Sequence, residues 1–192
     1  MDQDVQEPSR GAGNLKEVVR VVLTGVESTG KTTLSEELAQ ALNTEWVPEY
    51  GRDYTYTKRG PWVTEDFIII AKEQQRMENE AALRANKILI CDTNAFATGV
   101  WHQLYLGHRS PEVDAIGDTD KVDLNFLMVA DFPWQDDGIR DGEDMRPQMH
   151  QWFVDRLVDR PEPVVLLSGD RQTRLRSALA EIKIRFGISR PR

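Results

Sequence analysis

Residues Gly25-Val26-Glu27-Ser28-Thr29-Gly30-Lys31-Thr32 place two glycines, a lysine and a hydroxyl at the spacing G-x-x-x-x-G-K-[ST]. That pattern is built to hold an anion. Glycines let the backbone turn tightly, so that its N–H groups face inward onto phosphate oxygens. A lysine in this position reaches the β- and γ-phosphates of a nucleotide, and the hydroxyl that follows ligates Mg²⁺. The expected ATP contacts are Gly25, Glu27, Ser28, Thr29, Gly30, Lys31, Thr32 and Thr33, with Thr32 on the metal. ATP and Mg²⁺ are therefore the expected cofactors.

Such a loop needs a strand before it and a helix after it. Val18–Leu23 is an apolar, β-branched run broken by one arginine, which reads as a buried strand. Lys31–Leu42 carries Leu34, Leu38, Ala41 and Leu42 at helical spacing. Further strand-like runs follow at Glu45–Pro48, Lys87–Cys91, Leu124–Val129 and Pro163–Leu167. Helical patterns lie between or after them, at Thr64 to about Ala85, Ala95–Leu106, Gln148–Val158 and Gln172–Phe186. Strands alternating with helices predict an α/β fold: a five-stranded parallel sheet sandwiched between helices, as in P-loop NTPases and kinases. Ligands then bind beyond the carboxyl ends of the strands.

Two strand ends carry carboxylates. The second strand runs into Glu49-Tyr50-Gly51-Arg52-Asp53, and the third into Asp92-Thr93-Asn94. Phosphoryl transfer needs a metal ion and a group that orients or deprotonates the acceptor. Glu49 and Asp92 can divide those tasks. Asp92, Thr93 or Asn94 can equally cap the next helix, and Arg52 can face a phosphate or pair with Asp53. After the fourth strand, residues 131–146 read D-F-P-W-Q-D-D-G-I-R-D-G-E-D-M-R. We read this acidic, Gly-punctuated stretch as a lid that brings Arg140 and Arg146 over the transferring phosphate. Ser168-Gly169-Asp170-Arg171 follows the fifth strand; it either approaches an adenine, through Ser168 and Arg171, or simply turns and caps the next helix.

Composition narrows the setting. A formal net charge of −8 argues against a general nucleic-acid binder. A late basic cluster, Arg171, Arg174, Arg176, Lys183 and Arg185, reads as a solvated helix face. One cysteine, Cys91, cannot form an internal disulfide, and the three histidines show no metal-ligand spacing. No signal peptide or membrane-length apolar run is evident, so a cytoplasmic protein without membrane attachment is expected. Residues 1–14 read as a disordered leader and 15–192 as one kinase domain. Neither an N-K-x-D nor a D-x-x-G motif follows the relevant strands, which disfavours a GTPase.

The strings V-V-L-T-G-V-E-S-T-G-K-T-T, V-P-E-Y-G-R-D-Y, I-L-I-C-D-T-N and F-P-W-Q-D-D-G-I-R-D together resemble the ribosylnicotinamide kinase family. That activity forms the C-terminal domain of bifunctional NAD-salvage regulatory proteins. The resemblance runs from about Val18 to Gly187. It implies ATP-dependent phosphorylation of the 5′-hydroxyl of nicotinamide riboside. It carries over no adenylyltransferase or repressor activity, because no matching segment stands upstream. Glu49 is then expected to orient the acceptor hydroxyl, and Asp92 to serve the Mg²⁺ shell or a sugar contact, with the two roles interchangeable. Tyr50, Arg52, Asn94 and Trp134 join Glu49 and Asp92 as acceptor contacts, and Tyr50, Tyr54, Trp62, Trp101 or Trp134 can stack on a cationic ring. The alternatives are a nucleoside kinase of other specificity or a regulatory ATPase with no small acceptor. Oligomeric state stays open.

Overall fold

The computed structural model describes residues 18–131 and 143–191. The elements run β1 (Val19–Thr24), α1 (Lys31–Leu42), β2 (Trp46–Val47), α2 (Tyr50–Thr57), α3 (Thr64–Ala82), β3 (Ile88–Asp92), α4 (Ala95–Leu106), α5 (Pro111–Gly117), β4 (Leu124–Met128), a 3₁₀ turn (Glu143–Met145), α6 (Arg146–Val158), β5 (Val164–Leu167) and α7 (Arg171–Phe186). The five strands form one parallel sheet in the order β2-β3-β1-β4-β5.

β1 lies in the middle because it is apolar on both faces. Val21 and Leu23 turn to one side and pack with Leu34 and Leu38 of α1 and with Ala178 and Ile182 of α7. Val22 turns to the other side, toward Val47, Leu89, Cys91 and Ala81 of α3. Beside it, Val26 and Leu127 pack on Ala97 and Val100 of α4 and on Met149 and Phe153 of α6. Strands covered on both faces read as continuous apolar runs. Each fully buried Val, Leu or Ile there stabilises the fold by roughly 1.5–3 kcal/mol.

The expected sheet is present. β2 shrinks to two residues, and α6 and α7 each begin slightly earlier than the periodicity implies, at Arg146 and Arg171. Two helices lie outside the sequence expectation. α2 begins at Tyr50, where only a strand end had been read, and α5 fills part of the connection from α4 to β4. The proposed leader, residues 1–14, and most of the proposed lid lie outside the described residues.

Candidate active site

The strand order brings the chemistry together. Leu23 of β1 registers with Asp92 of β3, and Val47 of β2 with Cys91. Asp92 therefore sits level with the start of the phosphate-binding loop, and Glu49 stands one strand further out. Gly25 opens that loop at φ 129°, and a Cβ there would lie 3.0 Å from the Met128 carbonyl oxygen of β4. Only glycine meets both demands. Gly30, at φ 79°, is the N-cap of α1, so the first helical N–H groups open toward the loop. Thr29 Oγ1 and Lys31 Nζ both donate to the Val26 carbonyl, each at 2.8 Å. The lysine is thus folded back into the loop it closes.

Thr32 Oγ1 donates to Asp92 Oδ2 at 2.5 Å. Asp92 Oδ1 is buried with no hydrogen-bond partner among the described residues. A buried, half-satisfied carboxylate bound to the P-loop hydroxyl suits a hydrated Mg²⁺, which takes few protein ligands and keeps its waters. Among the described residues no three acidic, histidine or cysteine side chains cluster as a protein-only metal cage. Burial, and then the charge of Glu49, push the Asp92 carboxyl up to about 6, opposed by Lys31, Thr32 and Arg52. Arg52 thus bears on Asp92, closer to the site than a bare pairing with Asp53 implies. Glu27 is buried too, and its Oε2 has no hydrogen-bond partner among the described residues.

Next to this centre is a narrow cleft, open to solvent on one side and lined by Glu49, Trp62, Phe67, Gln74, Trp101 and Tyr105, among others. Trp62 and Tyr105 stack with ring centroids 5.0 Å apart, and Trp101 stacks on Tyr105 at 6.4 Å. Of the aromatics considered from sequence, Trp62 and Trp101 line the cleft. Tyr54 instead donates its hydroxyl to Asp66 at 2.7 Å, and that bond, with burial, pushes its pKa up to about 12. The Tyr50 backbone N–H donates to Gln74 Oε1 at 2.9 Å, which fastens the start of α2 to α3.

Sequence reasoning missed Tyr105, Thr98 and Gln74 in the cleft wall, and it missed Thr93. Thr93 also lines the cleft and holds φ 71°, a left-handed conformation strained for a β-branched residue. Asn94 is the N-cap of α4, accepting from the Ala97 N–H at 3.3 Å, so its side chain is engaged in capping. Arg146, at 8% exposure, begins α6. Arg140 and Trp134 lie outside the described residues. Asp170 caps α7 through the Thr173 N–H at 2.7 Å, beside an exposed Ser168. Arg171 pairs with Glu37 of α1 at 2.5 Å. The solvated-face reading of the basic cluster fails at Arg174, which is 1% exposed. A guanidinium can be buried there because carbonyl oxygens and a carboxylate surround it.

A family model described as "AAA domain" matches residues 20–174. The trifunctional NAD biosynthesis/regulator protein NadR of Escherichia coli (strain K12) is 35% identical over 124 residues, covering 62% of this chain and 30% of that protein. The chain thus spans about a third of the length of this curated relative. A crystal structure of NadR protein in complex with NR superposes with a TM-score of 0.78 at 24% identity, covering 92% of this chain and 54% of that one. Thymidylate kinase from Ehrlichia chaffeensis superposes with a TM-score of 0.62 at 15% identity, covering 85% and 98% of the two chains. These structures share the fold described above.

Proposed function

This chain belongs to the AAA domain family, and from that premise we propose that it is an ATP-dependent kinase acting on the 5′-hydroxyl of nicotinamide riboside, giving nicotinamide mononucleotide. One observation carries the reading: the P-loop hydroxyl of Thr32 is bonded to Asp92 at 2.5 Å, beside a cleft walled by Glu49 and stacked aromatic rings. On this reading the nucleotide site and the acceptor site are contiguous. The NadR relative is named for NAD biosynthesis, and a NadR structure holds NR.

In this reading the acceptor riboside lies in the cleft, its cationic ring among Trp62, Trp101 and Tyr105. Glu49 orients the 5′-hydroxyl and takes its proton as oxygen bonds to the γ-phosphorus and the bond to ADP breaks. Lys31 leaves the Val26 carbonyl for the phosphates. Thr32 and Asp92 are the residues that would hold Mg²⁺, and the ion would supply Lewis-acid neutralisation of phosphate charge. Arg140 and Arg146 are assigned to the transferring phosphate. A cytoplasmic setting fits the lone, buried Cys91. No helix among the described residues is long and apolar enough to cross a membrane.

An ADP-release screen across ribosides tests this. Nicotinamide riboside is expected to show a kcat/KM at least about tenfold above uridine, cytidine or thymidine, the margin that ~1.4 kcal/mol of cation–π attraction supplies. Comparable rates on a neutral nucleoside overturn the acceptor assignment. ATP hydrolysis indifferent to every acceptor overturns the kinase.

A further inference from the structure

α7 carries five basic residues at 171, 174, 176, 183 and 185, and four of them face solvent. Arg174 is 1% exposed and turns inward beneath the phosphate-binding loop. Its Nη1 donates to the Thr29 carbonyl at 2.9 Å, its Nη2 to the Val129 carbonyl at 2.8 Å, and its Nε to the Gly169 carbonyl at 2.8 Å. Nη2 also pairs with Asp131 Oδ1. Asp131 Oδ2 in turn accepts the Gly169 N–H at 2.6 Å. One side chain therefore joins the P-loop, the end of β4 and the turn between β5 and α7, and Gly169 is held at both its N–H and its C=O.

Stability alone does not account for a cation in this place. Burying a guanidinium is costly, and apolar residues of similar volume often replace buried ion pairs with no loss. What an apolar side chain cannot do is donate in three directions from a planar fork. The Thr29 carbonyl belongs to the same peptide unit as the Gly30 N–H. A charge-assisted bond to that oxygen draws electron density along the peptide and makes the N–H a stronger donor. P-loop N–H groups point at the anion, so their carbonyls point away from it and need donors behind them.

We propose that Arg174 is a positioning residue of the nucleotide site: it fixes the phosphate-binding loop against the β5–α7 turn and polarises the Thr29–Gly30 peptide toward bound phosphate. This rests on the reading of the P-loop as an ATP site, and it goes beyond that reading by naming a residue that touches no ligand.

The test is direct titration of Mg-ATP and of inorganic tripolyphosphate, without acceptor, into the wild type and two variants. Arg174→Lys keeps the charge and loses the fork. Arg174→Met combined with Asp131→Asn removes both charges and strands neither. Circular dichroism establishes that each variant is folded. Expected is a rise of about tenfold or more in Kd for both ATP and tripolyphosphate, with the riboside KM within about twofold of wild type. ATP affinity within twofold of wild type in a folded variant overturns the proposal, as does an equal loss for the riboside. If neither variant folds, the role is structural and the proposal fails. A wild type that binds no ATP removes the nucleotide reading together with this inference. A wild type that binds ATP but phosphorylates no riboside removes only the acceptor assignment.

Discussion

The two halves of the crevice are built by different means. The phosphate half is eight consecutive residues, and its working groups are mostly backbone N–H, with Lys31 and Thr32 added. Gly25 and Gly30 are there for the conformations they permit, φ 129° and 79°. The half that we propose for the acceptor is assembled from side chains between Glu49 and Tyr105, carried on α2, α3, α4 and the turns beside them. Phosphates are alike in all nucleotides, so a fixed backbone cradle serves them. Acceptors differ, and side chains on separate helices can be exchanged without disturbing that cradle. Damage to the first half should therefore abolish chemistry, and damage to the second should alter selectivity.

The sharpest break comes from Lys31→Ala. The fold should survive, since Lys31 Nζ donates to the Val26 carbonyl of the loop itself and the side chain is no part of the apolar core. The kcat should fall by ~10²–10³, the scale for losing one preorganised donor on developing charge. Coupled ADP release alongside circular dichroism measures both, and unchanged turnover in a folded variant places the phosphate site elsewhere.

At the seam between the halves, Asp92→Asn and Glu49→Gln should each lower kcat by about 10²-fold, the lower end of a general-acid–base or metal contribution. They should part company under a Mg²⁺ titration. Raised Mg²⁺ should partly rescue Asp92→Asn and leave Glu49→Gln unchanged, and the opposite pattern would exchange the two roles. With the wild type at limiting Mg²⁺, activity should decline as pH drops through about 6, where the metal-free Asp92 carboxyl gains its proton. A flat profile from pH 5 to 8 would separate Asp92 from the chemistry.

Within the acceptor half, Trp62→Ala should raise the riboside KM by about tenfold, the middle of the cation–π range, and leave the KM for ATP unchanged. Tyr105→Ala should behave alike, because the two rings are stacked. If both Michaelis constants rise together, the halves are not separable.

The floor beneath that cleft gives a pH effect on stability. Gln74, which fastens α2, also donates to Glu78 Oε1 at 3.1 Å. Burial, then the charge of Asp120, push Glu78 up from 4.5 to about 8, against Arg20. A carboxyl raised on folding contributes stability fully below 4.5 and loses it as pH rises through about 8. Asp120, raised by burial to about 6, adds to the same trend. Tm should thus fall between pH 5 and 8.5, and Glu78→Gln should flatten much of that fall. A steeper fall in the variant would reverse the assignment.

The smallest effect belongs to Arg171, exposed and paired with Glu37. Arg171→Ala should leave Tm essentially unchanged, because an exposed ion pair is screened by solvent. A loss of ATP affinity in that variant would restore Arg171 as a nucleotide contact.

Particular residues show what is legible in a chain. α1 and α4 were readable to their end residues, because leucines or other apolar residues recur on one face and a loop or cap precedes each helix. α2 was not readable. Its sequence, Tyr50–Thr57, is aromatic, β-branched and Gly-containing, a poor intrinsic helix former that the Gln74 anchor and packing on α3 hold in place. α5 is too short for periodicity to mark, although Ser110 before Pro111 is a helix-start signature, and Ser110 does cap it.

By itself the sequence determined the phosphate cradle, the parallel sheet and the carboxylates at its edge, because each depends on near neighbours: a loop spacing, an apolar run, a residue just past a strand. Only the tertiary structure decided that Asp92 registers with Leu23, that Trp62 stacks on Tyr105, and that Arg174 leaves a solvated helix face to sit beneath the P-loop. Strand order and side-chain partners join residues as far as 145 positions apart, as Thr29 and Arg174 are, and no local pattern encodes such a distance.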